Sequence, residues 1–379
     1  MAPPAGAPRF ELADIVRQHR AALERTVRLS AEQRRVLTDI GQCRTAILGG
    51  HLDVCQSCGY EHPSYNSCRN RHCPKCQALI QEHWIGNQRI RMLETRHFHV
   101  VFTLPAQLRS LAAHSPTWVL KALFTCASKT LLEFGVRRLS AKLGATLVLH
   151  TWTRELEYHP HVHAIVTGGG LSLDGRSWAS THRRFLFPVK ALSQVFRAKM
   201  RAALRHEHRL GRLKSFDDFK DPQAFDHLLG KIGKPSWYVY AKPSMHGQYV
   251  AEYLGRYTHR VGLANSRILD VSDESVTFRT RGQAQISLHP VELLRRFVQH
   301  VLPRRFHKIR HYGLYAQNDL ALAARHVLPT ACVLPEAPAN YRQHLLALTG
   351  RDLSICPQCA GLLLTHPLPI ARAPPQLPA

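Results

Sequence analysis

Carboxylates are scarce in this 379-residue sequence: 26 Asp and Glu face 51 Lys and Arg, a formal net charge of +25 before any of the 25 histidines takes a proton. The few acids show no arrangement assignable as three metal ligands, which argues against an active site built on an acidic triad. So basic a chain repels itself unless a polyanion offsets the charge, and nucleic acid is the usual one. Long apolar runs are missing as well. No stretch approaches the ~20 apolar residues that span a bilayer, and Met1 to Arg20 lacks the apolar core of a signal peptide, so neither export nor membrane insertion is expected. No Gly-x-x-x-x-Gly-Lys-Ser/Thr loop occurs, so no ATPase and no nucleotide cofactor is expected.

What is present has the bulk character of a folded protein, with 45% hydrophobic and 20% charged residues. The length predicts two or three domains. Short helices are expected within residues 10–29 and a basic helix over 77–96, on either side of a turn-rich segment, Cys43 to Cys76. Strand-like runs follow at 99–104, 145–152, 161–167 and 237–240, the third stopped by Gly168-Gly-Gly, with helical stretches at 115–139, 185–209, 248–259 and 291–301 and a hairpin within 270–287. Interleaving of this kind predicts an α+β domain on one sheet. The Pro-rich tail beyond Thr365 is expected to be flexible.

Five of the ten cysteines crowd into Cys55 to Cys76 and two more form Cys356-Pro-Gln-Cys359, a distribution that reads as metal binding. Cys55-x-x-Cys58 and Cys73-x-x-Cys76 are two knuckles able to close a tetrahedron of four thiolates around a structural Zn²⁺. Cys43, His51, Cys68 and His72 interleave with them as a candidate second zinc set, or are packing residues. The pair Cys356 and Cys359 lacks a following knuckle; His366 is one candidate partner, and a site supplied by another part of the chain is the other. Arg69, Arg71 and Lys75 share the zinc loop and are candidate phosphate contacts, with a solvated face as the bland alternative.

In Tyr158-His-Pro-His-Val-His-Ala, the period of two places His161 and His163 on one strand face, about 7 Å apart along the strand and within reach of one divalent cation. His159 belongs to the same alternation. Tyr253-Leu-Gly-Arg-Tyr257 places two phenols on one helix face, where core packing is the usual reason for such a stripe. Together the features suggest more than either alone. A phenol with a pKa of about 10 is a poor nucleophile near neutrality, and it attacks phosphorus usefully only where a metal offsets the developing charge.

Cys43-Arg-Thr-Ala-Ile-Leu-Gly-Gly-His51, Tyr65-Asn-Ser-Cys-Arg-Asn-Arg-His-Cys-Pro-Lys-Cys76, the strand from His159 to Leu171, Tyr240-Ala-Lys-Pro243, Tyr253-Leu-Gly-Arg-Tyr-Thr-His-Arg-Val261 and His307-Lys-Ile-Arg-His-Tyr-Gly313 together resemble the HUH-type, two-tyrosine rolling-circle transposases of the bacterial insertion sequence ninety-one family. The resemblance implies an HUH endonuclease fold, a central antiparallel sheet flanked by helices, after a small zinc-binding module. It implies a module at 1–96 with helical and zinc-binding, DNA-contacting parts, a catalytic domain at 97–315 and an extension at 316–379. By the family pattern His161 and His163 hold Mg²⁺ or Mn²⁺, and Tyr253 and Tyr257 are the nucleophiles. A third metal ligand is expected among His150, Glu155 and Glu157. Lys242, Arg256 and Arg260, close in sequence to the tyrosines, are candidate DNA contacts, as is His259. The implied activity is metal-dependent cleavage and transfer of single-stranded DNA through 5′-phosphotyrosine links, in the bacterial cytoplasm at the nucleoid, with host replication and unwinding machinery as partners. A zinc-ribbon regulator without catalysis, and a relaxase or replication initiator with the same chemistry, are the alternatives.

Overall fold

The computed structural model describes residues 9–213, 221–234, 236–246, 262–328 and 352–368, with positions 249, 250, 252, 253, 255, 343, 346 and 350 between them. The chain packs as two units. One gathers residues 1–80, 263–301 and 335–379; the other comprises 81–262 and 302–334. This differs from the expected division into 1–96, 97–315 and 316–379. The segment after residue 262 returns to the first unit, and the C-terminal Cys-x-x-Cys joins it in place of forming a separate extension.

The first unit begins with helices α1 (Leu12–Thr26) and α2 (Ala31–Gln42). A capping box starts α2: Ser30 Oγ accepts from the Gln33 amide, and the Gln33 side chain accepts from the Ser30 amide. Glu11 gives α1 no side-chain cap, and the buried Oδ1 of Asn265 accepts the Leu12 amide at 3.1 Å instead. Leu12, Ile15, Val16, Val36, Leu37 and Ile40 bury their side chains, as do Leu293, Leu294 and Phe297 of a later helix in the same unit. Each stabilises the unit by about 1.5–3 kcal/mol. Strands β1 (Gly50–Cys55) and β2 (Glu61–Tyr65) form a hairpin.

The second unit is built on a six-stranded antiparallel sheet. Its strands are β3 (Arg96–Thr103), β4 (Ala141–Trp152), β5 (Tyr158–Ser172), β6 (Trp178–Ser180), β7 (Val239–His246) and, later in the chain, a strand at Ile309–Gly313. That last strand lies at one edge, followed by β4, β5, β3 and β7, while β6 pairs with β5. The α+β expectation therefore holds. Strand β5 does not stop at the three glycines, because the sheet continues around them. A Cβ at Gly168 would lie 2.8 Å from the Arg96 carbonyl oxygen, and one at Gly169 would lie 2.6 Å from Trp178 Nε1. Glycine here permits close strand approach and does not break the strand.

Alternation divides the sheet into two faces. Phe98, Val100 and Phe102 of β3, Leu147 and Leu149 of β4, and Val162, Ala164 and Val166 of β5 pack against helix residues such as Phe124, Leu131 and Phe196. Helix α3 spans Gln77–Arg91, α4 Arg109–His114, α5 Pro116–Leu139 and α6 Val189–Arg209; Phe124 and Leu131 lie on α5 and Phe196 on α6, whereas Trp84 of α3 packs on the other face. Helix α7 (Pro222–Gly233) adds Phe225, Leu229 and Ile232 to this core. The opposite face carries the histidines.

In the first unit, strands β8 (Ile268–Val271), β9 (Val276–Arg279) and β10 (Gln285–Leu288) form a three-stranded meander where the sequence predicts one hairpin, and α8 (Pro290–Val298) follows. The edge strand at Ile309–Gly313 is β11, and α9 spans Asn318–Val327. The final strand, β12 (Leu363–Leu368), pairs antiparallel with β1. No helix among the described residues is long and apolar enough to cross a membrane.

Candidate metal centres and active site

In the first unit, one set of four sulfurs comes from Cys43, Cys68, Cys73 and Cys76, and a second from Cys55, Cys58, Cys356 and Cys359; within each set the ligand atoms lie within 4.8 Å of one another. The expected grouping of Cys55 and Cys58 with Cys73 and Cys76 is therefore corrected. The reason is the hairpin. Strand β1 runs from Gly50 to Cys55, about 17 Å at the usual rise per residue, and β2 carries the chain back. Cys43 and Cys68 flank the open end of the hairpin, while Cys55 and Cys58 sit at its turn. The candidate set Cys43, His51, Cys68 and His72 is corrected too: its cysteines join Cys73 and Cys76, and neither histidine belongs to a cluster. His51 instead lies 3.6 Å from Asp53.

In the first set, Cys43 Sγ is 3.5 Å and Cys68 Sγ 3.6 Å from Cys76 Sγ. A tetrahedral zinc with Zn–S bonds near 2.3 Å places its sulfurs about 3.8 Å apart, so these four suit a closed structural site. Hydrogen bonds from Cys68 and Cys73 hold the Cys43 thiol down to about 7. Around it, Arg69 is exposed with a positive φ of 52°. Arg71 is half-buried and lowered by desolvation, and Lys75 is paired with Glu11. Of the three candidate phosphate contacts, Arg69 is the most open.

In the second unit, sheet register assembles the other centre. His161 on β5 is directly opposite His150 on β4, and His163 follows two residues later on the same face. The ligand atoms of the three lie within 4.8 Å of one another. His161 donates from Nδ1 to the His159 carbonyl oxygen at 2.7 Å, which leaves its Nε2 lone pair free. Burial pushes His161 down to about 4, keeping it in the neutral, ligating form at neutral pH. Trp152 stacks on His150 with ring centroids 4.9 Å apart. Of the candidate third ligands, the structure brings in His150 and leaves Glu155 and Glu157 exposed outside the cluster. The His159 side chain turns away to Arg109 Nη2, 2.8 Å from its Nδ1.

Sequence reasoning missed His99. It lies on β3 two residues from Val101, which is paired with His163, and so shares the histidine face. Its Nε2 is 2.8 Å from His163 Nδ1, and its Nδ1 is 3.1 Å from the Tyr253 hydroxyl. The available signal was a second His-x-His, His97-Phe-His99, on a neighbouring strand. Burial, then the nearby charges of Lys242 and His161, pushes His99 down to about 4. Lys242 is exposed on β7, directly opposite His99 in the register. Around Tyr253, residues 252, 253 and 255 are helical. Gly255 lets this turn seat on α3, since a Cβ there would fall 2.3 Å from Ile85 Cδ1. Tyr257, Arg256, His259 and Arg260 lie outside the described residues.

These buried neutral imidazoles carry a stability prediction. On another part of the same face, burial and then Arg91 push His311 down to about 4 as well. Unfolded histidines take up protons below about 6.5, whereas His99, His161 and His311 refuse them until about 4. Their contribution is complete above 6.5 and is lost as pH falls from there through 4. Urea unfolding of the second unit without added divalent cation should show a lower midpoint at pH 5 than at pH 7.5. An unchanged midpoint would contradict the burial argument.

A family model described as "Transposase zinc-binding domain" matches residues 15–104, and one described as "Putative transposase" matches residues 144–321. The chain is 40% identical over 376 residues to "Putative transposase y4qJ" of Sinorhizobium fredii, covering 94% of each chain. It is 30% identical over 298 residues to "Transposase for insertion sequence element IS801" of Pseudomonas savastanoi pv. phaseolicola, covering 74% of this chain and 70% of that one. The chain belongs to the transposases of the insertion sequence ninety-one family. No solved structure matches it. The transposase thus acts on DNA, and its zinc-binding domain contains the whole first cysteine set and half of the second. The second family match contains His150, His161, His163 and Tyr253, while His99 falls within the first.

Proposed function

We propose that this transposase cleaves and rejoins single-stranded DNA at the ends of its insertion sequence by HUH chemistry, with Tyr253 as a nucleophile. The observation that carries the reading is the hydrogen-bonded chain from the Tyr253 hydroxyl through His99 to His163, within the cluster of His150, His161 and His163. Tyr253 Oη, its proton released to solvent, attacks the scissile phosphorus; the P–O3′ bond breaks, the 5′ phosphate remains on the tyrosine, and the 3′ oxygen takes a proton from solvent and departs as the 3′-OH that host replication extends. Tyr257 is the second nucleophile, so that two covalent attachments can coexist during strand exchange.

His150, His161 and His163 would hold a divalent cation, which when bound supplies positive charge to the phosphate oxygens. Three neutral nitrogens suit Mn²⁺ better than Mg²⁺, which prefers oxygen ligands. The tautomers then follow. For His163 to offer its Nε2 lone pair, its Nδ1–H donates to His99 Nε2, and His99 Nδ1–H donates to Tyr253 Oη. In that state the relay ends in a donor aimed at the phenol oxygen, which favours the phenolate. Lys242, Arg69, Arg256 and Arg260 are the proposed backbone contacts, so affinity should fall steeply with salt. The proposed setting is the nucleoid, with host enzymes unwinding the duplex.

The test incubates purified transposase with single-stranded element-end DNA and either metal. Cutting with covalent capture of the 5′ side is expected, at lower Mn²⁺ than Mg²⁺ concentration. Binding without an adduct would instead support a zinc-ribbon regulator. Activity confined to an origin or transfer sequence would point to an initiator or relaxase.

A further inference from the structure

The matched zinc-binding domain ends at residue 104, yet Cys55 and Cys58 meet Cys356 and Cys359, which lie far beyond it. We infer that these four cysteines form a second structural zinc site, closed from both ends of the chain, so that the transposase carries two zinc ions and its C-terminal segment completes the N-terminal module.

Matching backbone geometry in the two knuckles supports this assignment. The Cys55 amide donates to the Tyr60 carbonyl at 2.8 Å, and the Cys356 amide donates to the Gly361 carbonyl at 2.8 Å. The Gly59 amide donates to the Cys55 carbonyl at 3.0 Å, and the Ala360 amide donates to the Cys356 carbonyl at 3.0 Å. Gly59 and Ala360, one residue after each second cysteine, have φ of 70° and 59°. A left-handed alanine costs about 1 kcal/mol or more, and the local fold keeps it. Both knuckles therefore use the same tight turn, which aims two sulfurs to one side.

The knuckles also pack closely against each other. A Cβ on Gly361 would fall 2.6 Å from Ser57 Oγ and 3.0 Å from Ser57 Cβ, so a larger residue there would have to displace Ser57. Cys55 Sγ lies 3.4 Å from Cys359 Sγ, and Cys58 Sγ lies 3.7 Å from Cys356 Sγ. Disulfides would bring these sulfurs to about 2.05 Å, whereas a zinc tetrahedron holds them near 3.8 Å. Strand pairing supplies the alignment. Register from Gly50 opposite Leu368 to Cys55 opposite Leu363 brings the second knuckle beside the first. Four soft thiolates with no open position select Zn²⁺ in a structural role. His366, directly opposite Leu52 on β12, is not needed as a ligand.

The test counts metal in the full chain, purified without chelator. Elemental analysis should find two zinc ions per chain in the wild type and one in Cys356→Ser/Cys359→Ser. Cys359→His, which keeps a four-ligand set, should restore the count to two. Alkylation mapping of the wild type provides a reading independent of variant folding: Cys55, Cys58, Cys356 and Cys359 should be protected until a chelator removes the zinc, then label together. One zinc in the wild type, an unchanged count of two in the double variant, or labelling of Cys356 and Cys359 while zinc remains at two would overturn the assignment.

Discussion

Tyr253→Phe should lower the rate of covalent DNA capture by at least about three orders of magnitude, because it removes the attacking oxygen and leaves the ring in place. His161→Ala should be comparably severe. His161 supplies one of three converging nitrogens, and its Nδ1 bond to the His159 carbonyl fixes the ligating tautomer. His150→Ala distinguishes this site from one completed by a carboxylate. It should match His161→Ala, while Glu155→Gln and Glu157→Gln keep near wild-type rates, since both acids are exposed and outside the cluster. DNA binding measured separately at low salt should change little in every case. If Glu157→Gln abolished cleavage and His150→Ala did not, the three-histidine site would be wrong.

The same residues show how far the sequence could be read. His161 and His163 were legible because a strand's period of two is local. Whether His150, Glu155 or Glu157 completed the site depended on which residue of β4 lies opposite His161, and that register is a long-range property. His99 was obscured for the same reason: its place on the face follows from pairing of Val101 with His163. Each Cys-x-x-Cys was legible as a knuckle, but the pairing was not. The segment between Cys58 and Cys73 contains β2, a return strand, where sequence spacing suggested a loop that would bring the knuckles together. The packing units are discontinuous in sequence for the same long-range reason: Asn265 reaches back to cap α1, and β12 reaches back to β1.

Removing zinc from Cys43, Cys68, Cys73 and Cys76 should produce the largest stability effect in the first unit. Between residues 43 and 76, the buried hydrophobic side chains are those of Cys43, Cys55, Cys73 and Cys76 alone. No leucine, isoleucine, valine or phenylalanine of this segment is buried, and β2 is almost wholly exposed. With so little apolar burial, metal ligation must offset the entropy of ordering the segment, and structural zinc contributes about 10–16 kcal/mol of apparent binding free energy in small domains. The helices differ: α1, α2 and α8 bury Leu12, Ile15, Val36, Leu37, Leu294 and Phe297. Chelation, or Cys73→Ser with Cys76→Ser, should therefore open residues 43–76 to limited proteolysis at least tenfold faster while these helices remain protected. Unchanged cleavage after measured zinc loss would show that the hairpin stands without its metal.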